Sequence, residues 1–290
     1  YHHTAPVNMN FAIREGLRLI SNEGLDFKGS KTYLSTGGLD LAKDKDTLCF
    51  IHGAGQNHYS FTQQIRYFVS QGYNVIAPDF PGHGFSEGKQ TTSIEEDMFW
   101  LADLIQFLKL QKVFFIGHSQ GCLTMLELAA KIPDLAKGLI FLAGAMSIPV
   151  NDYLIDTSIN NPEKAYDLMV KWGQDNYGSF SISNWPGHNH LIEGSAVMKM
   201  NNLSVLSTDL KSCNLYKNGK QAASEINLKC LAVLAKYDMM IPLKKGLEMV
   251  ENIRQCDFQI LDCGHFLPIE KPKELNSHIK NYLSYHSQQL

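Results

Sequence analysis

The sequence predicts an α/β domain: a mostly parallel, doubly wound sheet with a helical insertion between its sixth and seventh strands. Three observations carry this expectation. Apolar runs of strand length recur between amphipathic segments of helix length. The runs are unbroken rather than alternating, which marks strands covered on both faces. One of them, Val113-Phe114-Phe115-Ile116, passes through Gly117-His118-Ser119-Gln120-Gly121 directly into the apolar segment that starts at Cys122. That is a strand, a sharp turn and a helix, with a serine at the apex between two glycines.

The elements follow in order. Residues 25–34 read as one or two strands, antiparallel and at the sheet edge. Leu48-Cys49-Phe50-Ile51 and Tyr73-Asn74-Val75-Ile76-Ala77 are the next strands. Beyond Val113-Phe114-Phe115-Ile116 come Gly138-Leu139-Ile140-Phe141-Leu142, Leu231-Ala232-Val233-Leu234 and Phe258-Gln259-Ile260-Leu261. Helices are expected over 58–71, 93–110, 120–132, 242–254 and 272–285. Ser93 ahead of Glu95-Glu96 is an N-cap with an acidic first turn, and Pro242 and Pro272 suit first helical positions.

One interval breaks the rhythm. No sheet strand is expected between 142 and 231, whereas an ordinary connection needs only ~2–6 residues. Asn161-Pro162-Glu163 starts a helix that stops near Gly173, with Ala165, Leu168, Met169 and Trp172 as its apolar stripe; Leu203, Leu206 and Leu210 form a second stripe. A Gly-, Asn-, Ser- and aromatic-rich loop joins them over 173–190. The interval reads as a lid over the strand ends.

An exposed serine is a poor nucleophile until a base takes its proton, and the base needs an acid to orient it. Ala235-Lys236-Tyr237-Asp238 and Asp262-Cys263-Gly264-His265 each follow a predicted strand. Parallel strands bring their carboxyl ends to one edge, so Ser119, Asp238 and His265 are expected to converge there. The expected roles are attack on a carbonyl by Ser119, proton transfer by His265 and orientation of the imidazole by Asp238. Asp262 is a rival acid, too close along the chain to His265. Oxyanion donors are expected from the backbone N–H of Gln120 and from His52-Gly53-Ala54-Gly55, with Ala54 the first choice and Gly55 the second.

In this order and context the motifs resemble those of the α/β-hydrolase superfamily. The likeness rests on the elbow at 117–121, the His52-Gly53 turn, Asp79-Phe80-Pro81-Gly82-His83-Gly84-Phe85-Ser86, Asp238 and His265, and it runs from about residue 48 to the C-terminal helix. It implies the α/β-hydrolase fold, with a core of 1–146 and 214–290, a helical cap over 147–213, and hydrolysis without cofactor or metal. Ala235 departs from the glycine that the family often has before the acid. Because esterases, lipases, thioesterases, C–C bond hydrolases and some non-hydrolases share the G-H-S-x-G arrangement, it names no substrate. The expected activity is cleavage of a small or medium, partly apolar carboxylic ester through an acyl-enzyme on Ser119. Acyl-CoA thioester or C–C cleavage by the same residues is the alternative, and a ligand-gated small-molecule receptor with residual hydrolysis is a third reading.

Trp172, Phe180 and Trp185 suit either an apolar substrate wall or a small core within the lid, and Met239 suits a soft acyl pocket. His52 and His118 read as structural, shaping the oxyanion turn and packing beside the elbow, with substrate contact as the second reading. Asp79 and His83 are expected to brace their loop. His188-Asn189-His190 lacks a partner carboxylate motif, so no metal site is expected. Gly53-Ala54-Gly55 lacks the third glycine of a dinucleotide loop, because position 58 is histidine.

Composition narrows the partners. With 290 residues, 44% hydrophobic, and a formal charge of −3, the chain has neither a basic footprint for nucleic acid nor a run of like charge. No apolar stretch approaches the ~20 residues of a membrane span. Tyr1-His2-His3-Thr4 contains no apolar signal-peptide core, and Tyr1-His2-His3 reads equally as native or as a tag remnant. The six cysteines show no framework spacing and no C-x-x-C pair, so a reduced, cytoplasmic protein is expected.

Overall fold

The computed structural model describes residues 24–111, 113–174 and 190–287. Eight strands form one sheet: β1 (Gly24–Phe27), β2 (Ser30–Ser35), β3 (Thr47–Ile51), β4 (Asn74–Pro78), β5 (Val113–His118), β6 (Ala136–Leu142), β7 (Cys230–Ala235) and β8 (Cys256–Leu261). Their spatial order is β1-β2-β4-β3-β5-β6-β7-β8. The β1–β2 hairpin joins β4 in antiparallel fashion and every later pairing is parallel.

The unbroken apolar runs are explained by cover on both faces. Cys49 and Ile51 of β3 pack with Ile94, Met98 and Leu101 of α2 (Ile94–Phe107) and with Leu123 of α3 (Gln120–Lys131). Leu48 and Phe50 of the same strand face the other way, toward Ile65 and Phe68 of α1 (Thr62–Ser70). Strand β5 divides likewise, and all six of its residues are buried. β8 is the exception: as the sheet's edge strand it leaves Phe258 46% and Ile260 42% exposed, so an apolar run there does not mean double cover.

Punctuation mostly sits where the sequence puts it. Ser93 caps α2 by accepting from Glu96 N–H at 3.2 Å. The helix expected over 58–71 is split, because Asn57 caps a short 3-10 turn (His58–Phe61) before α1 begins. α9 (Leu243–Asn252) starts one residue later than expected, with Pro242 as its N-cap.

Between β6 and β7 the described residues form α4 (Asp152–Asn160), α5 (Pro162–Gly173), α6 (His190–Lys199), α7 (Val205–Leu215) and α8 (Gly219–Glu225). Leu154, Ala165, Met169, Leu206 and Leu210 make a separate apolar cluster that also takes in Ala54 and Phe266 from the loops below. Leu203 drops out of its expected stripe, since it precedes α7 and is 74% exposed. The described residues close with α10 (Leu267–Glu270) and α11 (Pro272–Ser287). Among the described residues no helix is long and apolar enough to cross a membrane.

Candidate active site

Ser119 stands between the last residue of β5 and the first of α3 with φ 54° and ψ −118°, a left-handed conformation unusual for a residue with a side chain. Two close approaches explain the flanking glycines. A Cβ on Gly117 would lie 2.5 Å from Met125 Sδ, and one on Gly121 would lie 2.4 Å from the Ile51 carbonyl oxygen. Strand, turn and helix are therefore pressed together without room for a methyl group. The Ser119 N–H donates to Leu142 O at 3.0 Å, and Cys122 N–H donates to Ser119 O at 2.9 Å. The strained turn is held from both sides.

His265 and Asp238 follow β8 and β7. Their side chains are almost fully buried and Nδ1 of His265 lies 2.7 Å from Asp238 Oδ2. The other oxygen of Asp238 accepts from Met240 and Ile241 N–H at 2.8 and 2.7 Å, so the carboxylate is fixed as well as paired. Glu270, which sequence reasoning passed over, straddles the histidine: its two oxygens accept from Gly264 N–H and Phe266 N–H. The only hint in the sequence is an acid four residues past Phe266, at the end of a short helix. Asp262, the rival acid, instead pairs with Lys236 at the surface.

Above β3, three of the four N–H groups from Gly53 to Gln56 are committed to protein acceptors. Gly53 donates to Gln56 Oε1 at 3.2 Å, Gly55 to Asp209 Oδ2 at 2.7 Å and Gln56 to Gly53 O at 3.1 Å. The fourth belongs to Ala54, which borders the same cavity as Ser119. Gly55, the second choice as a donor, is engaged by Asp209. Gln120 opens α3, where a backbone N–H has no acceptor within its own helix.

His52 and His118 are not brought to the cavity. The Nδ1 of His52 faces Gly53 O at 3.1 Å and its Nε2 accepts from Phe80 N–H at 3.3 Å, while burial, with the neighbouring His83 second, pushes its pKa down to about 4. His118 donates from Nε2 to His265 O at 2.8 Å and is pushed down to about 3, by burial first and His265 second. Both rings are spent on protein partners, His118 placing its Nδ1 3.1 Å from Gln56 Oε1. Asp79 accepts from His58 N–H and Phe85 N–H, and so braces its loop. His83 reaches further than its loop, to Asp209 at 3.0 Å.

A buried carboxyl sits beneath the elbow. Asp97 of α2 accepts from Gln120 Nε2 at 3.1 Å and from Thr91 Oγ1, and burial pushes it up to about 7, partly opposed by the Thr91 bond. Its native pKa thus lies above the unfolded value of ~3.9. A raised acid favours the native state most fully below that unfolded value, and the benefit is lost as pH rises toward 7. Asp97→Asn is expected to raise the melting temperature by at least about 3 °C at pH 8 and to leave it nearly unchanged at pH 4. Thermal melts of both proteins across that range check the sign.

A cavity of about 240 Å³ opens between Ser119 and the inserted helices. Leu154, Met169 and Trp172 line it from α4 and α5, Leu210 from α7, and Met239 and Ile241 from the loop after Asp238. Trp172 and Met239 were expected there; Phe180 and Trp185 lie outside the described residues. Leu154 and Ile241 carried no sequence signal, because α4 has β-branched and polar residues around a single buried leucine. No Lys, Arg, Asp or Glu lines the cavity among the described residues. A larger, open groove of about 530 Å³ along β8 and α11 shares no residue with it, and the groove's thiol, Cys256, is pushed up to about 12 by burial. Among the described residues no cluster of three or more His, Cys, Asp or Glu is arranged to hold a metal ion.

Comparison with known proteins agrees with this architecture. The family model of the alpha/beta hydrolase fold matches residues 46–176. Protein ABHD8 of Bos taurus is 27% identical over 247 residues, which are 81% of this chain and 55% of that protein. The chain therefore spans about half the length of that relative. Putative esterase/lipase 2 of Mycoplasma genitalium is 26% identical over 250 residues, 83% of this chain and 90% of the other. The 2-hydroxy-6-oxononadienedioate/2-hydroxy-6-oxononatrienedioate hydrolase 1 of Pseudomonas putida is 23% identical over 273 residues, 85% and 90% of the two chains. The crystal structure of the enol-lactonase from Burkholderia xenovorans superposes with a TM-score of 0.80 at 18% identity, covering 90% of this chain and 99% of that one. Sheet order, elbow and superposition define an α/β-hydrolase fold. The chain is similar to α/β hydrolases in sequence over residues 46–176 and in fold over most of its length.

Proposed function

We propose that the protein is a serine hydrolase of carboxylic esters with a small, uncharged, apolar acyl group. The observation that supports this best is the meeting of a strained serine and the Ala54 loop at one apolar cavity, above a buried His–Asp pair at 2.7 Å. Ser119 Oγ attacks the ester carbonyl as His265 takes its proton; the N–H groups of Gln120 and Ala54 receive the oxyanion; collapse expels the alcohol, protonated by His265. Water, deprotonated by the same imidazole, then hydrolyses the acyl-enzyme. Asp238 holds the tautomer that leaves Nε2 free to accept. The cap, residues 147–213, supplies most of the acyl wall. Six cysteines with no framework spacing and no C-x-x-C pair favour a reducing compartment, the cytoplasm.

Size and polarity choose the substrate class. A cavity of about 240 Å³ is smaller than the roughly 300–1,000 Å³ pockets that enclose drug-sized ligands. A carboxylate buried against Leu154, Met169 and Ile241 would find no lysine or arginine among the described lining residues, and an unpaired buried charge costs several kcal/mol. Residues 175–189 add no lysine or arginine to the cap. p-Nitrophenyl butyrate is therefore expected to exceed the succinate half-ester and butyryl-CoA by at least ~100-fold in kcat/KM, which is about 2.7 kcal/mol. Equal or faster turnover of the anionic ester would overturn the substrate class.

A further inference from the structure

Gly55 is enclosed by the cap on every polar side. Its N–H donates to Asp209 Oδ2 at 2.7 Å, from α7. Its carbonyl accepts from Asn201 Nδ2 at 2.7 Å, from the turn between α6 and α7. Its Cα faces Leu206, whose Cδ1 would lie 2.8 Å from any Cβ, and its φ of +66° keeps the peptide in a geometry that glycine alone adopts readily. Both cap side chains are themselves anchored in the core. Asp209 also pairs with His83 at 3.0 Å, and Asn201 Oδ1 accepts from Gly84 N–H at 2.7 Å and Asn57 Nδ2 at 3.2 Å. Burial alone would lower the pKa of His83, but the charge and hydrogen bond of Asp209 outweigh it and raise it.

We infer that Asp209 and Asn201 are positioning residues for the oxyanion loop, so that a docked cap is a condition of transition-state stabilisation and not only a wall for the acyl group. The inference rests on the proposed role of the Ala54 N–H. That amide belongs to the peptide next to the one Asp209 holds, and rotation about the Ala54–Gly55 linkage is what the two cap bonds prevent. The same insertion touches the base as well: Gly173 O, at the end of α5, accepts from His265 N–H at 2.6 Å. The cap therefore grips both the candidate donor loop and the candidate base.

The test compares Asp209→Ala, Asp209→Asn and Asn201→Ala with the wild type, using p-nitrophenyl butyrate and butylboronic acid, which forms a tetrahedral adduct that needs the same donors. Asp209→Ala is expected to lower kcat by ~10- to 100-fold, part of the ~100- to 1,000-fold that loss of a whole donor costs. KM should stay within about threefold, and boronate affinity should weaken by the same factor as kcat. Asp209→Asn keeps an acceptor for Gly55 N–H and should recover most of the loss. Asn201→Ala removes no charge, so it carries the test if Asp209→Ala does not fold, and should lower kcat with KM unchanged. Folded variants that change kcat and boronate affinity less than twofold, or raise KM alone, overturn the inference. So does Asp209→Asn that is no better than Asp209→Ala. A wild type that a fluorophosphonate does not label at Ser119 defeats the underlying hydrolase reading instead, which separates the two failures.

Discussion

Ser119→Ala is expected to lower kcat for p-nitrophenyl butyrate by ~10⁴- to 10⁶-fold while leaving the melting temperature within a few degrees of wild type. The size follows from what the side chain supplies. Without Oγ no acyl-enzyme forms, and only direct attack by water remains, aided by the oxyanion donors and by substrate binding. Stability should hardly change, because the turn is fixed by its backbone bonds to Leu142 and Cys122 rather than by the hydroxyl. Alanine has no better access to φ 54° than serine does, so the strain is retained. Steady-state kinetics beside a thermal melt separates chemistry from folding. A folded variant with full esterase activity would falsify the nucleophile assignment.

The second large effect is expected at Asp238. Asp238→Asn should reduce kcat by ~10⁴-fold with KM nearly unchanged. The geometry specifies the reason. Oδ1 already accepts two backbone N–H groups, from Met240 and Ile241, so an asparagine must place its carbonyl oxygen there. Its NH₂ group then faces His265 Nδ1 at the position of Oδ2, donates to it, and forces the ring proton onto Nε2. An imidazole in that tautomer cannot accept the Ser119 proton. A nitrogen-edited NMR spectrum of the His265 ring would show the tautomer directly, and a folded variant that keeps Nδ1–H and turns over normally would contradict the orienting role.

The elements most visible in the sequence are those where a single physical demand dominates. Buried parallel strands need apolar residues on both faces, so β3, β5 and β6 announce themselves. The elbow needs two glycines because a Cβ at either would lie 2.4 or 2.5 Å from a neighbouring atom, and the letters record it. The cap was harder to read, because its small helices need only a few apolar contacts each; α4 rests on Leu154 and a cap bond from Asn151. Contacts between distant segments left least trace of all. Nothing near Gly55 announces that Asp209 and Asn201, some 150 residues on, hold it. Glu270 is equally silent, as its role is defined by the backbone it grips. The histidines are the reverse case: His52 and His118 sit beside the chemistry in sequence, and their nitrogens are spent on structure, in keeping with their first reading and not with substrate contact.

The proposed chemistry requires that Ser119 carry the acyl group. Rapid quenching of the protein with p-nitrophenyl butyrate, followed by intact-mass and peptide mass spectrometry, tests it most directly. A burst of nitrophenol is expected, matched by a butyryl adduct on the peptide containing Ser119 that decays as turnover proceeds and is absent from Ser119→Ala. Ester turnover with no adduct at Ser119, or an adduct on another residue that forms and decays at the catalytic rate, would contradict it.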